Sequence, residues 1–130
     1  MDQIHIDKIN NASEYLSFHG ITLLEAENGS SKVVMNINDS IANIYGTVHG
    51  GALFTLADTA AGSACYSRKE KCVTLNSTIH FIHPGIKGVL TAYGKEVSRG
   101  KRTGIYDVTI TDEDDRIVCS ATFTFYILDR

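Results

Sequence analysis

Apolar and polar positions divide the chain into segments of different period. Ile9, Ala12, Tyr15 and Leu16 recur on one helical face, so residues 7–18 read as a short amphipathic helix that Gly20 ends. Two short β-prone runs follow, Ile21 to Ala26 and Ser31 to Ile37, around Asn28-Gly29, a pair suited to the left-handed residues of a tight hairpin. After the polar connector Asn38-Asp39-Ser40 the pattern changes. From Gly50 to about Ser67 no proline interrupts a run of good helix formers, and Leu53, Phe54, Leu56, Ala57, Ala60, Ala61, Ala64 and Cys65 leave no charged face. A helix that is apolar all round has to be covered all round.

The remainder alternates. Cys72 to His83 places Val73, Leu75, Ser77, Ile79 and Phe81 on one face and Thr74, Asn76, Thr78 and His80 on the other, until Pro84-Gly85 stops it. Val89 to Val97 and Thr103 to Thr111 are two more strands, separated by Ser98-Arg99-Gly100-Lys101. The acidic turn Asp112-Glu113-Asp114-Asp115 leads into Ile117 to Leu128, where Ile117, Cys119, Ala121, Phe123, Phe125 and Ile127 share a face. Short turns imply antiparallel neighbours, which predicts an α+β protein. Its six-stranded antiparallel sheet curves round one long helix, and the small residues from Ala60 to Ala64 let the sheet come close. The sheet's edges invite a second subunit.

Composition narrows the picture. The chain has 130 residues, 43% of them hydrophobic, enough for one domain spanning 1–130. A net charge of −3 with no long run of Lys or Arg excludes a nucleic-acid footprint. Neither a signal-peptide pattern nor a membrane-spanning apolar run is present, and the cysteines Cys65, Cys72 and Cys119 are odd in number and apolar in setting. A cytoplasmic protein with reduced core thiols is expected. His80 and His83, three apart on a strand, point to opposite faces and make poor ligands, so no metal is expected.

Two features of the central helix carry chemistry. Asp58 stands alone as a carboxylate in an apolar helix, and burying an unpaired charge is costly. At the front, Gly50 and Gly51 leave the first amides of the helix uncovered, where the dipole favours an anion or a polarised carbonyl. Taken singly, Gly-Gly reads equally well as a turn and Asp58 as a buried polar residue satisfied by hydrogen bonds. Taken together they favour a site. Eight residues of helix separate them by roughly 12 Å and about 80° of rotation, too far for both to act on one carbon. If both act on one substrate, the carboxylate comes from a second copy of the chain.

The motif Asn43-x-x-Gly46-x-x-His49-Gly50-Gly51, followed by Leu56-Ala57-Asp58-Thr59-Ala60, resembles the signature of the phenylacetate-degradation-type acyl-CoA thioesterases, which have the hotdog fold. Asn76 to Pro84 and Arg99 to Tyr106 fall where that family has matching segments, so the resemblance spans nearly the whole chain. It implies hydrolysis of an acyl-CoA whose acyl group is aromatic, such as phenylacetyl, or medium-chain, with the Gly50 amide polarising the thioester carbonyl and Asp58 of the partner subunit as nucleophile or base. It also implies that Asn43 and His49 orient the reacting groups and that the Thr74 hydroxyl helps to hold water. Gly51, His83 and Pro84 would contact the substrate, and the turn Arg99, Gly100, Lys101, Arg102 and Thr103 the nucleotide of its coenzyme A, although that turn also reads as a solvated hairpin tip. The family is at least dimeric, commonly a dimer of dimers, and uses no cofactor beyond the coenzyme A of its substrate. Two rival classes share the fold. The hydratases and dehydratases carry a His-Phe-Pro-Gly stretch that is lacking here, and the acyl-CoA sensors carry a DNA-binding segment for which the chain leaves no room.

Overall fold

The computed structural model describes residues 1–129. Its elements are α1 (Gln3–Asn10), α2 (Glu14–Phe18), β1 (Ile21–Glu27), β2 (Ser30–Asn36), a 3-10 turn (Asp39–Ile41), α3 (Gly50–Tyr66), β3 (Lys71–Phe81), β4 (Val89–Arg99), β5 (Thr103–Thr111) and β6 (Ile117–Asp129). The strands form one antiparallel sheet in the order β1-β2-β4-β5-β6-β3. α3 lies against all six, which is the hotdog arrangement.

Local chemistry accounts for the elements. Asn28 and Gly29 take φ of 50° and 81°, the mirror-image turn that matches strand twist. The sheet approaches α3 closely because the facing residues are small: Ser31 Oγ donates to Ala60 O at 2.5 Å, and a Cβ at Gly94 would lie 2.6 Å from that oxygen. Leu56, Ala57, Ala60, Ala61, Ala64 and Cys65 are fully buried there, beneath Tyr106 and Phe123.

Three sequence expectations need correction. The helix expected over 7–18 is broken into two. Asn11 caps α1, its side-chain amide donating to Asp7 O at 2.8 Å, and Ser13 starts α2. Short polar side chains of this kind compete for the backbone and end helices. Second, the sheet does not cover α3 on every side. β1 and β3 are edges that never meet, so Gly51, Phe54, Thr55, Asp58, Thr59, Gly62 and Tyr66 form an open stripe. Third, β3 does not alternate throughout. Thr74 pairs with Phe125 and Asn76 with Thr124, so Leu75 is the extra residue of a bulge. The phase flips there. Thr74 consequently shares the helix-facing side with Ser77, Ile79 and Phe81 rather than lying opposite them.

Candidate active site

The turn before α3 is built by one side chain. Asn43 Oδ1 accepts from the amides of Tyr45 at 2.9 Å and Thr47 at 3.1 Å, while its Nδ2 donates to Thr47 Oγ1 at 2.8 Å. Val48 N then bonds Gly85 O and His49 N bonds Ile41 O, which fixes the direction in which the helix starts. His49 is the N-cap: its Nδ1 accepts from Gly51 N at 2.8 Å. The imidazole proton therefore sits on Nε2 in the neutral ring. Gly51 makes room for that ring, since a Cβ there would lie 3.1 Å from Nδ1. Of the amides in the first turn of α3, those of Gly51, Ala52 and Leu53 bond to His49, and the Gly50 N–H makes no hydrogen bond among the described residues. It lies on the dipole-positive end of a helix of 17 residues.

Asp58 sits two turns along on the open stripe. The bulge at Leu75 aims Thr74 Oγ1 at it, donating to Oδ1 at 2.6 Å. Oδ2 makes no hydrogen bond among the described residues. Burial pushes the Asp58 pKa above its usual 3.8, and the Thr74 bond opposes that shift without reversing it. Two consequences follow. Chemistry that needs the carboxylate is lost as pH falls through the raised value, so kcat/KM should show an acid limb centred above 3.8. On stability the sign is opposite: a raised folded-state pKa contributes stability below the unfolded value and loses it as pH rises through the folded one. Asp58→Asn should therefore melt higher than the native protein at neutral pH, with the gain vanishing below about pH 4. Equal melting curves at neutral pH would contradict the burial cost.

The two ends of the site lie at opposite ends of β3. A Cβ at Gly50 would touch the Phe81 ring at 3.7 Å, whereas Asp58 is held by Thr74. Midway between Gly50 and Asp58 stands Phe54, 37% exposed, its ring 5.5 Å from that of Phe123. Phe123 in turn pairs with Ser77, midway along β3. Reasoning from the sequence passed over Phe54, although its place four residues from both Gly50 and Asp58 marks it. It also passed over Tyr15, whose hydroxyl meets Thr55 Oγ1 at 3.1 Å and straps α2 to the open stripe.

Other expected site residues are dispersed. His83 lies beyond the end of β3, its Nδ1 donating to Ile117 O at 2.8 Å, and Pro84 follows it in an exposed loop. So the expectation of His80 and His83 on opposite faces of one strand does not hold: the strand ends at Phe81. Lys101, Arg102 and Thr103 are exposed at the β4–β5 turn, which Gly100 N closes on Thr103 O at 2.8 Å. Arg99 differs from its neighbours. Its guanidinium, 14% exposed, turns inward to Glu70, to Tyr106 OH at 2.9 Å and to Glu96 at 3.4 Å. That correction has a physical basis, because a nearly buried Arg holding two carboxylates is not available to a phosphate. Arg99→Ala should cost about 3 kcal/mol of stability by breaking the nearly buried ion pair with Glu70, while Glu96 keeps Arg68 at 2.7 Å. Lys101→Ala and Arg102→Ala should leave the melting temperature unchanged, and calorimetry on the three variants checks the contrast.

The model of the thioesterase superfamily matches residues 45–119, more than half of the chain. The chain belongs to the thioesterase superfamily. As such it is a thioester hydrolase. The acyl-coenzyme A thioesterase PaaI of Escherichia coli is 37% identical over 100 residues, covering 76% of this chain and 71% of the relative. The structure of E. coli PaaI superimposes with a TM-score of 0.89 at 30% identity, over 94% of this chain and 89% of that one. A hypothetical thioesterase from Streptococcus pneumoniae, solved with coenzyme A, gives a TM-score of 0.83 at 36% identity, over 87% of this chain and 92% of that one. The S. pneumoniae protein has also been solved with one aspartate, and separately one threonine sixteen residues further on, replaced by alanine. No helix among the described residues is long and apolar enough to cross a membrane.

Proposed function

We propose that this thioesterase hydrolyses acyl-CoA in a site completed by two copies of the chain. The Gly50 N–H of one copy polarises the thioester carbonyl, and Asp58 Oδ2 of the other either takes a proton from attacking water or attacks the carbonyl itself. In both routes the C–S bond breaks, water supplies the oxygen of the acid, and the thiolate leaves with a proton. Neither a metal nor a redox cofactor enters this scheme. Thr74 holds Oδ1 so that Oδ2 faces the substrate, and the His49 Nε2–H adds a second donor near the helix start. Asn43 acts by fixing the turn that aims Gly50.

The observation that carries this reading is the coincidence of two midpoints on one edge. A two-fold axis that brings Gly50 beside a partner's Asp58 passes through Phe54 on α3. An antiparallel β3–β3 pairing that brings Phe81 beside a partner's Thr74 has its axis between Ser77 and Thr78. Phe54 packs on Phe123, which pairs with Ser77, so both requirements name one axis. The exposed apolar side chains Val73, Leu75 and Phe81 on that edge strand suit such a partner. The aspartate and threonine replaced in the S. pneumoniae protein have the spacing of Asp58 and Thr74, which supports the same pair as reacting group and holder. Lys101 and Arg102 take the phosphates of the nucleotide, at the end of the sheet where Thr74 and Asp58 lie.

The test is thiol release from a panel of acyl-CoAs by the purified protein, with light scattering to give its mass. Turnover by a dimer or a higher even oligomer is expected. A protein that releases no thiol from any member of the panel, or one fully active as a monomer, overturns the proposal.

A further inference from the structure

Beyond Asp58 the open stripe of α3 becomes a groove of about 430 Å³. Gly62 and Tyr66 lie along it on the helix, Ile9 and Leu16 line it from α1 and α2, and Phe125 lines it from the sheet. Its lining is chiefly apolar, and Asp58 is the carboxylate that lines it. From Asp58 to Tyr66 the helix rises about 12 Å. With C–C bonds of about 1.5 Å and tetrahedral angles, that length takes about nine extended carbons.

A second observation concerns the turn before α3. Ile44 and Tyr45 are 90% and 82% exposed, although the turn that carries them is pinned by Asn43. A fixed turn that presents two large apolar side chains to water does nothing for a single chain and marks a contact. With two α3 helices antiparallel and Gly50 of one beside Asp58 of the other, the segment before Gly50 runs on over the partner's Gly62 and Tyr66. The groove lacks a cover in one chain; the turn lacks a surface. Each is what the other needs.

We propose that this groove is the acyl subsite and that it takes an unbranched apolar acyl chain of about eight to ten carbons. Ile9, Leu16 and Gly62 of the Asp58-bearing chain form its walls, and Ile44 and Tyr45 of the second copy form its roof. The inference rests on the shared-site reading above.

The experiment measures kcat/KM for thiol release with straight-chain acyl-CoAs from acetyl to palmitoyl and with phenylacetyl-CoA. The native protein should peak at octanoyl or decanoyl. Thr59→Trp, which fills the groove from α3, and Tyr45→Ser, which opens its roof, should each lower the decanoyl-to-acetyl ratio about tenfold, the worth of roughly two methylenes. Leu16→Trp fills the same groove from the exposed α2 and serves if Thr59→Trp does not fold. A chain-length profile that keeps its shape in all the folded variants overturns the subsite, as does a native preference for phenylacetyl-CoA over every straight chain. Asp58→Asn, assayed alongside, separates the two failures. If Asp58→Asn is inactive while the profile is unmoved, the subsite falls and the shared site stands. If Asp58→Asn is fully active, the shared site itself falls.

Discussion

Asp58→Asn should lower kcat by about a thousandfold while changing KM less than about threefold. The substitution keeps the shape of the side chain and an oxygen that can still accept from Thr74 Oγ1, now at 2.6 Å from Oδ1. What it removes is the ability of the second oxygen to take a proton or to attack. In the proposed scheme that group acts only as the transition state forms, so its loss belongs in kcat and not in the affinity for coenzyme A. Thr74→Ala should cost less, about tenfold, because it loosens the carboxylate without removing it. Measuring initial rates against acyl-CoA concentration separates the two parameters. Asp58→Asn with a native kcat would remove Asp58 from the chemistry; a large rise in KM with kcat intact would make it a binding group.

How far the sequence foretold this arrangement depends on the range over which each signal acts. The Asn28-Gly29 hairpin, the apolar run of α3 and the later strands were legible because turn chemistry and hydrophobic period act locally. The distance between Gly50 and Asp58 was legible too, since helix geometry is fixed once the helix is recognised. The bulge at Leu75 was not, because Val73 and Leu75 are apolar for a reason outside the chain's own core. They are exposed on an edge strand, where an alternation of apolar residues looks the same whether it faces a helix or awaits a neighbour. Arg99 misled in the same way. Beside Lys101 and Arg102 it reads as one more surface cation; Glu70 lies 29 residues away and is joined to it only by tertiary packing, and Glu96, three residues back on β4, shares its side through the irregularity between Glu96 and Ser98. Asn43 gave half its meaning: its place in the motif showed that it mattered, and its hydrogen bonds show that it shapes the turn.

Gly50→Pro should be nearly as damaging as Asp58→Asn, with kcat down by about a hundredfold to a thousandfold and no loss of stability. Proline deletes the backbone N–H assigned to the carbonyl and little else. The first position of a helix is where proline is best tolerated, and Gly50 does not have a positive φ. His49, at φ −60° and ψ 138°, already has the extended conformation required before proline. The added ring would meet Phe81 at ordinary contact distance, since a Cβ at Gly50 would lie 3.7 Å from it. Two separately inactive variants then allow a direct test of sharing. In a mixed dimer of Asp58→Asn and Gly50→Pro, one site combines both lesions, and the other combines an intact amide with an intact carboxylate. Random co-assembly makes about half of the dimers mixed, each with one working site, so the mixture should recover about a quarter of native turnover. If amide and acid acted within one chain, every chain in that mixture would carry a lesion in its own site, and turnover would stay at the level of the separate variants.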